Sequence, residues 1–224
     1  MKSNADLQKD VQDAIKWEPL LNAAEIGVTA KGGIVTLTGV VDSYAKKTEA
    51  EDAAKNVAGV NAVVEKIKID FGMDWTKKND NEIATEVLAS LKLNWEVPND
   101  KIKVTVENGW VTLEGDLEWN FQKESARKSV RNLMGVMGVS NNIKIKSETH
   151  DAIEKKEIEK ALNRNWAIAN QDIHVQVEGT KVTLTGMVAS LYQKEEAGKI
   201  TWNTRGVWTV ENDLVVEFNY ALID

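Results

Sequence analysis

The chain has 224 residues, a mass of 24.9 kDa and a formal net charge of −7, with 28% charged and 42% hydrophobic residues. That composition is ordinary for a globular protein, and the acidic balance argues against whole-protein attraction to nucleic acid or to an anionic membrane. Cysteine is absent, which excludes disulfides, thiolate metal sites and cysteine nucleophiles.

No apolar run approaches the roughly 18 residues that a membrane span needs, so no transmembrane segment is expected. Met1-Lys2-Ser3-Asn4 leads straight into an amphipathic pattern without an apolar signal core. This predicts a cytoplasmic protein, with a periplasmic location as the alternative if a signal was removed.

Leu7, Val11, Ala14 and Ile15 recur at helical spacing and predict a first helix that Pro19 terminates. Ile26, Val28 and Ala30 alternate with polar neighbours, turn at Gly32-Gly33, and return as Ile34-Val35-Thr36-Leu37-Thr38-Gly39. This predicts a β-hairpin with a two-residue turn. Gly39 is expected to end the return strand. A second helix follows from about Ser43, with Ala50, Ala53, Ala54 and Val57 on its inner face and Gly59 closing its C-terminus. Val60 and Val63 then lead into a last strand with Ile67 and Ile69.

The same order is written twice more. Ile15 matches Leu91 and Leu162; Leu37 matches Leu113 and Leu184; Val60 matches Val136 and Val207. The register between copies is gapless over more than fifty residues, which identifies an internal repeat. Pro98 is expected to end the first helix of the second copy, and Gly115 and Gly186 the return strands. Gly135 and Gly206 are expected to close the second helices. Each unit of about 70 residues is large enough for a small core of its own. The expected fold class is α+β: three tandem αββαβ domains over residues 1–72, 79–147 and 150–224. Each is expected to be a mixed three-stranded sheet with two helices packed on one face.

The Gly-x-Val-Thr-Leu-x-Gly strand, the Ala-rich helix and the Gly-Val-x-x-Val lead into the last strand resemble the BON domain. That is the module of the osmotically inducible periplasmic protein Y family. The resemblance rests on Gly33 to Gly39, Gly109 to Gly115, Thr180 to Gly186, and the runs from Gly59, Gly135 and Gly206. It implies a bacterial, soluble, non-catalytic module associated with osmotic stress, lipid binding and chaperone-like behaviour. The partners it implies are phospholipid surfaces or partly folded client proteins. A structural scaffold acting through self-association is the alternative.

No enzyme, cofactor or metal site is expected. His150 and His174 have no counterparts in the other copies, and no phosphate-binding glycine loop opens a helix. Three features bear on binding. The second helix of the middle copy carries Lys123, Arg127, Lys128 and Arg131 against Glu124. Lys123, Arg127 and Arg131 share one stripe, which fits either a solvated face or a contact for anionic headgroups. Lys47, Lys123 and Lys194 align, and the expected use of that position is a lysine stem laid over the Ala-rich face. Among the tryptophans, Trp95 and Trp166 align and are expected to plug the junction between first helix and hairpin. Trp75 and Trp110 are expected to pack between domains or to form a partner surface.

Overall fold

The structure is a computed structural model that describes residues 3–72, 78–146, 153, 155–169 and 171–216. Within them the chain writes helix–strand–strand–helix–strand three times. The first repeat has α1 (Asn4–Trp17), β1 (Ile26–Lys31), β2 (Ile34–Val41), α2 (Tyr44–Lys55) and β3 (Ala62–Ile69). The second has α3 (Asp80–Leu93), β4 (Ile102–Glu107), β5 (Trp110–Leu117), α4 (Asn120–Arg131) and a last strand split into β6 (Gly138–Asn141) and β7 (Lys144–Ile145). The third has α5 (Lys155–Arg164), β8 (Asp172–Glu178), β9 (Lys181–Val188), α6 (Leu191–Trp202) and a last strand split into β10 (Thr209–Asn212) and β11 (Val215–Val216).

Local chemistry fixes the starts of the helices. Ser3 and Asn79 each accept from the backbone N–H three residues on, while Asp6 and Glu82 reach back to the cap N–H. These are reciprocal capping boxes. The hairpin turns follow from glycine. Gly32, Gly33, Asn108 and Gly109 all sit at positive φ, as a two-residue turn of matching twist demands.

In each repeat the second strand is central. β1, β4 and β8 pair with it antiparallel, in the register Ile26↔Gly39, Ile102↔Gly115 and Ile173↔Gly186. The last strands β6, β7, β10 and β11 pair with it parallel. In the first repeat, the bonds Asn61 N–H to Gly33 O and Asp70 N–H to Val41 O follow the same parallel course. Alternate residues of the central strand, such as Val35, Leu37 and Val41, are buried, as are Ala50, Ala53 and Ala54 of α2. Small side chains on the second helix let it approach the sheet closely. The expected α+β class and the mixed three-stranded plan are both present.

The last strand is continuous in the first repeat and interrupted in the other two. One aligned position differs at the break. Asn141 and Asn212 turn their side-chain amides away to donate to the carbonyls of Lys123 (2.8 Å) and Lys194 (2.6 Å). The aligned residue of the first repeat is Glu65, whose carboxylate takes the Lys47 ammonium at 2.7 Å. Lys47 also donates to Ile67 O at 3.0 Å.

Three sequence expectations need correction. α3 stops at Leu93 with Asn94 as C-cap, and Pro98 precedes the separate 3-10 turn Asn99–Lys101. Gly59, Gly135 and Gly206 do not close the second helices, which end at Lys55, Arg131 and Trp202. They belong to the next turn, where Val60, Val136 and Val207 donate back to Val57, Leu133 and Thr204. Gly39, Gly115 and Gly186 do not end their strands either, which run on to Val41, Leu117 and Val188. A Cβ at these glycines would lie 2.0, 2.1 and 1.8 Å from the carbonyl oxygens of Glu25, Lys101 and Asp172. They allow the backbone that enters the edge strand to cross the central one.

By compactness the described residues fall into two units. One takes in those of Met1–Val40, Lys46–Lys68 and Asp151–Asp224; the other those of Val41–Ala45 and Ile69–His150. Most of the first repeat and the third thus share a unit.

The glycine contact gives a stability prediction. Gly115→Ala meets backbone at φ +146°, whereas a Cβ at Gly32 meets nothing within 4 Å. Urea unfolding of the intact chain is expected to show a loss of about 3 kcal/mol for Gly115→Ala and about 1 kcal/mol for Gly32→Ala. Equal losses would contradict the close-approach role.

Candidate functional site

The first helix of each repeat ends in the same way. Its last turn carries a basic residue, Lys16, Lys92 or Arg164. A turn follows in which Leu21, Val97 and Ile168 donate to the carbonyls of Glu18, Asn94 and Asn165 at 3.0, 3.0 and 3.1 Å. In the second and third repeats an asparagine builds this turn. Asn94 accepts from Glu96 N–H (3.0 Å) and donates to Ser129 Oγ (2.9 Å) on α4. Asn165 accepts from Ala167 N–H (2.9 Å) and donates to Glu196 Oε1 (3.2 Å) on α6. The turn is thus pinned to the second helix.

This pinning sends the tryptophans outward. Trp95 and Trp166 occupy the first central position of the turn, and each is 90% exposed. In the first repeat Pro19 takes that position, as proline favours. The aromatic residue there moves to the end of α1 as Trp17, 85% exposed. Leu93, aligned with Trp17, is 86% exposed beside Trp95. The expectation that Trp95 and Trp166 plug the junction is therefore overturned. Val97 and Ile168, two residues further on, are the buried plugs.

Each repeat so presents a bare aromatic ring within three residues, along the chain, of a cationic one. A tryptophan has roughly 150–250 Å² to bury. At about 25 cal/mol per Å², covering one ring is worth a few kcal/mol. Sequence reasoning found the register of these residues but assigned them to the wrong side. The turn-forming Asn94 and Asn165, each with an apolar residue three positions on, were the signal.

The basic stripe of α4 is only partly open. Lys123 is half-buried, and burial lowers its pKa, with the charge of Glu124 offsetting part of that effect. Arg127 pairs with Glu124 at 3.2 Å. Lys128 is exposed, and Arg131 is half-buried at the helix C-terminus. Lys123 and Asn141 meet through the Lys123 carbonyl, so the lysine backbone also serves the last strand.

Trp110 lies within its own sheet. Its partner across the ladder is Gly138, and a Cβ there would fall 2.4 Å from the indole ring. The ring lies over that glycine and donates through Nε1 to Ser140 Oγ at 2.8 Å, with half of its surface exposed. The same cross-strand position holds Lys181 and Thr209 in the third repeat, where Lys181 pairs with Glu211 at 2.7 Å. Trp75 and His150 lie outside the described residues. His174 is exposed and stands 3.4 Å from Asp172. Among the described residues no helix is long and apolar enough to cross a membrane.

The profile of the BON domain matches the chain three times, over residues 3–70, 79–147 and 150–217. Osmotically-inducible protein Y of Escherichia coli (strain K12) is 30% identical over 129 residues, which is 56% of this chain and 64% of that protein. The match thus spans less than two thirds of the relative's own length. Among solved structures, the C-terminal domain of CdsD, a structural protein of the type III secretion system of Chlamydia trachomatis, is 17% identical. The alignment covers 96% of this chain and all of that one, at a TM-score of 0.25. A second CdsD structure aligns at 18% identity and a TM-score of 0.24, over 95% of this chain and 92% of that one. Scores this low have no bearing on the fold.

The outward tryptophans and the buried plugs predict opposite responses to truncation. Trp95→Ala is expected to change the unfolding free energy by less than about 0.5 kcal/mol, and Val97→Ala to cost about 2 kcal/mol. Urea denaturation distinguishes them; a large loss for Trp95→Ala would return that ring to the core.

Proposed function

The chain belongs to the BON domain family, and from that premise we propose that it is a non-catalytic binding module that engages anionic phospholipid surfaces. The carrying observation is the triple occurrence of a nearly bare tryptophan within three residues of a basic residue at the end of the first helix. Indole rings favour the boundary between water and hydrocarbon, where the ring is covered and its N–H stays hydrated. A basic residue near an anionic surface adds about 1 kcal/mol. Lys16, Lys92 and Arg164 also complement the dipoles of their helices. The turn sends the tryptophans outward, and no described side chain covers them there.

The α4 stripe supports the same reading. Lys123 holds its charge in a partly desolvated place against a single neighbouring carboxylate, and an anionic headgroup would relieve that cost. The net charge of −7 opposes long-range attraction, so binding rests on short-range contact at these patches. The name of the E. coli relative supports a role in the response to osmotic stress.

Co-sedimentation with vesicles tests the reading. The parent chain is expected to bind vesicles rich in anionic lipid more tightly than neutral ones. Replacing Trp17, Trp95 and Trp166 together with alanine should weaken binding at least tenfold while leaving the thermal midpoint nearly unchanged. Lys123→Glu, Arg127→Glu and Arg131→Glu together should weaken binding to anionic vesicles severalfold. Undiminished binding after loss of all three tryptophans would sink the proposal. Vesicle binding that is absent in the parent, with tryptophan-dependent capture of a partly folded protein, would replace lipid by client protein. Reversible growth in light scattering with concentration, without either binding, would favour the scaffold reading.

A further inference from the structure

One joint connects the first repeat to the third. α2 ends at Lys55, whose ammonium lies 2.9 Å from Glu195 Oε1 on α6 and 3.0 Å from Glu51 Oε1 one turn back. Further on, the N–H of Gly59 donates to the carbonyl oxygen of Ala189 at 3.3 Å, just before α6 begins. Both contacts lie inside a single compact unit.

Among the described ion pairs, Lys55 is the cation that links the two repeats. Burial alone would lower the Lys55 pKa, but hydrogen bonds to Glu195 and Glu51 outweigh it, and the pKa is raised. Lys55 is four-fifths covered, whereas Glu195 remains nearly half open to solvent. Without Lys55 the joint would set two carboxylates against each other. The aligned residues of the other repeats do not repeat the pairing between first and third. Lys55 is matched by Arg131 and Trp202, and Glu195 by Thr48 and Glu124. A tryptophan cannot act as Lys55 does, and a threonine cannot act as Glu195 does. The charges therefore specify which side of each repeat meets the other.

We propose that this joint is an ionic latch: the fraction of molecules with the first and third repeats docked falls as salt rises, with Lys55 as the shared cation and Glu195 as its partner. The physical basis is screening. The Debye length falls from about 10 Å at 0.1 M salt to about 3 Å at 1 M, and a half-open carboxylate is within reach of that change. A partly exposed pair of this kind shifts the docked-to-parted ratio by roughly fivefold. This inference goes beyond the phospholipid reading and does not rest on it.

The absence of native cysteine makes the test direct. Thr29→Cys and Gln176→Cys place dyes at exposed positions of the first and third repeats in the full chain. Energy transfer between them is expected to fall as salt rises from 0.05 to 1 M. Lys55→Glu should give low transfer at every salt concentration, with the circular dichroism of the parent. Combining Lys55→Glu with Glu195→Lys should restore high transfer at low salt, because the pair is re-formed with its signs exchanged. Lys55→Met should remove the salt dependence. Transfer that is independent of salt in the parent overturns the latch. A charge-swapped double variant that behaves like Lys55→Glu alone overturns it too, since the site would then matter for shape and not for charge.

Discussion

Each repeat depends on one close crossing of backbone. The central strand must pair on both sides, and the chain entering the edge strand passes over it at Gly39, Gly115 or Gly186. A Cβ there would lie about 2 Å from a carbonyl oxygen, inside any tolerable contact. The antiparallel register starts at Gly39 and at Gly115, and one pair before Gly186, at Asp172↔Met187. That register in turn sends Val35 and Leu37, and their counterparts, into the core. A slip of one residue would turn those side chains to solvent.

Around that crossing the architecture was readable from sequence, because period-2 and helical patterns report burial directly. The glycines were readable as special but not as to why. A positive φ serves a turn, a strand end or a close approach equally well, and only neighbouring backbone separates them. Gly115 proved to be an approach, and Gly135 a turn beyond the helix. The bonds from the Asn141 and Asn212 amides to carbonyls of the second helix, at the residue before the split, were not legible, because they join positions 18 residues apart.

The candidate site was legible in register and wrong in direction. Tryptophan has a large apolar surface that favours burial, and alignment of Trp95 with Trp166 strengthened that default. What decides the direction is the turn. Asn94 and Asn165 tie it to the second helix, Val97 and Ile168 take the buried place, and the ring between them has nowhere to go but out. Pro19 at the corresponding position, with Trp17 displaced to the helix end, follows the same geometry. Trp110 illustrates the opposite solution: its ring is accommodated by a missing side chain at Gly138, a cross-strand pairing visible only once the register is known.

The central claim is that bare indole rings at the first-helix ends meet lipid. The most direct measurement is quenching of tryptophan fluorescence by brominated acyl chains in anionic vesicles. Strong quenching is expected for the parent chain, most of it lost when Trp17, Trp95 and Trp166 are replaced by phenylalanine. Vesicle-bound protein whose fluorescence is unquenched, or whose quenching survives those replacements, would contradict it.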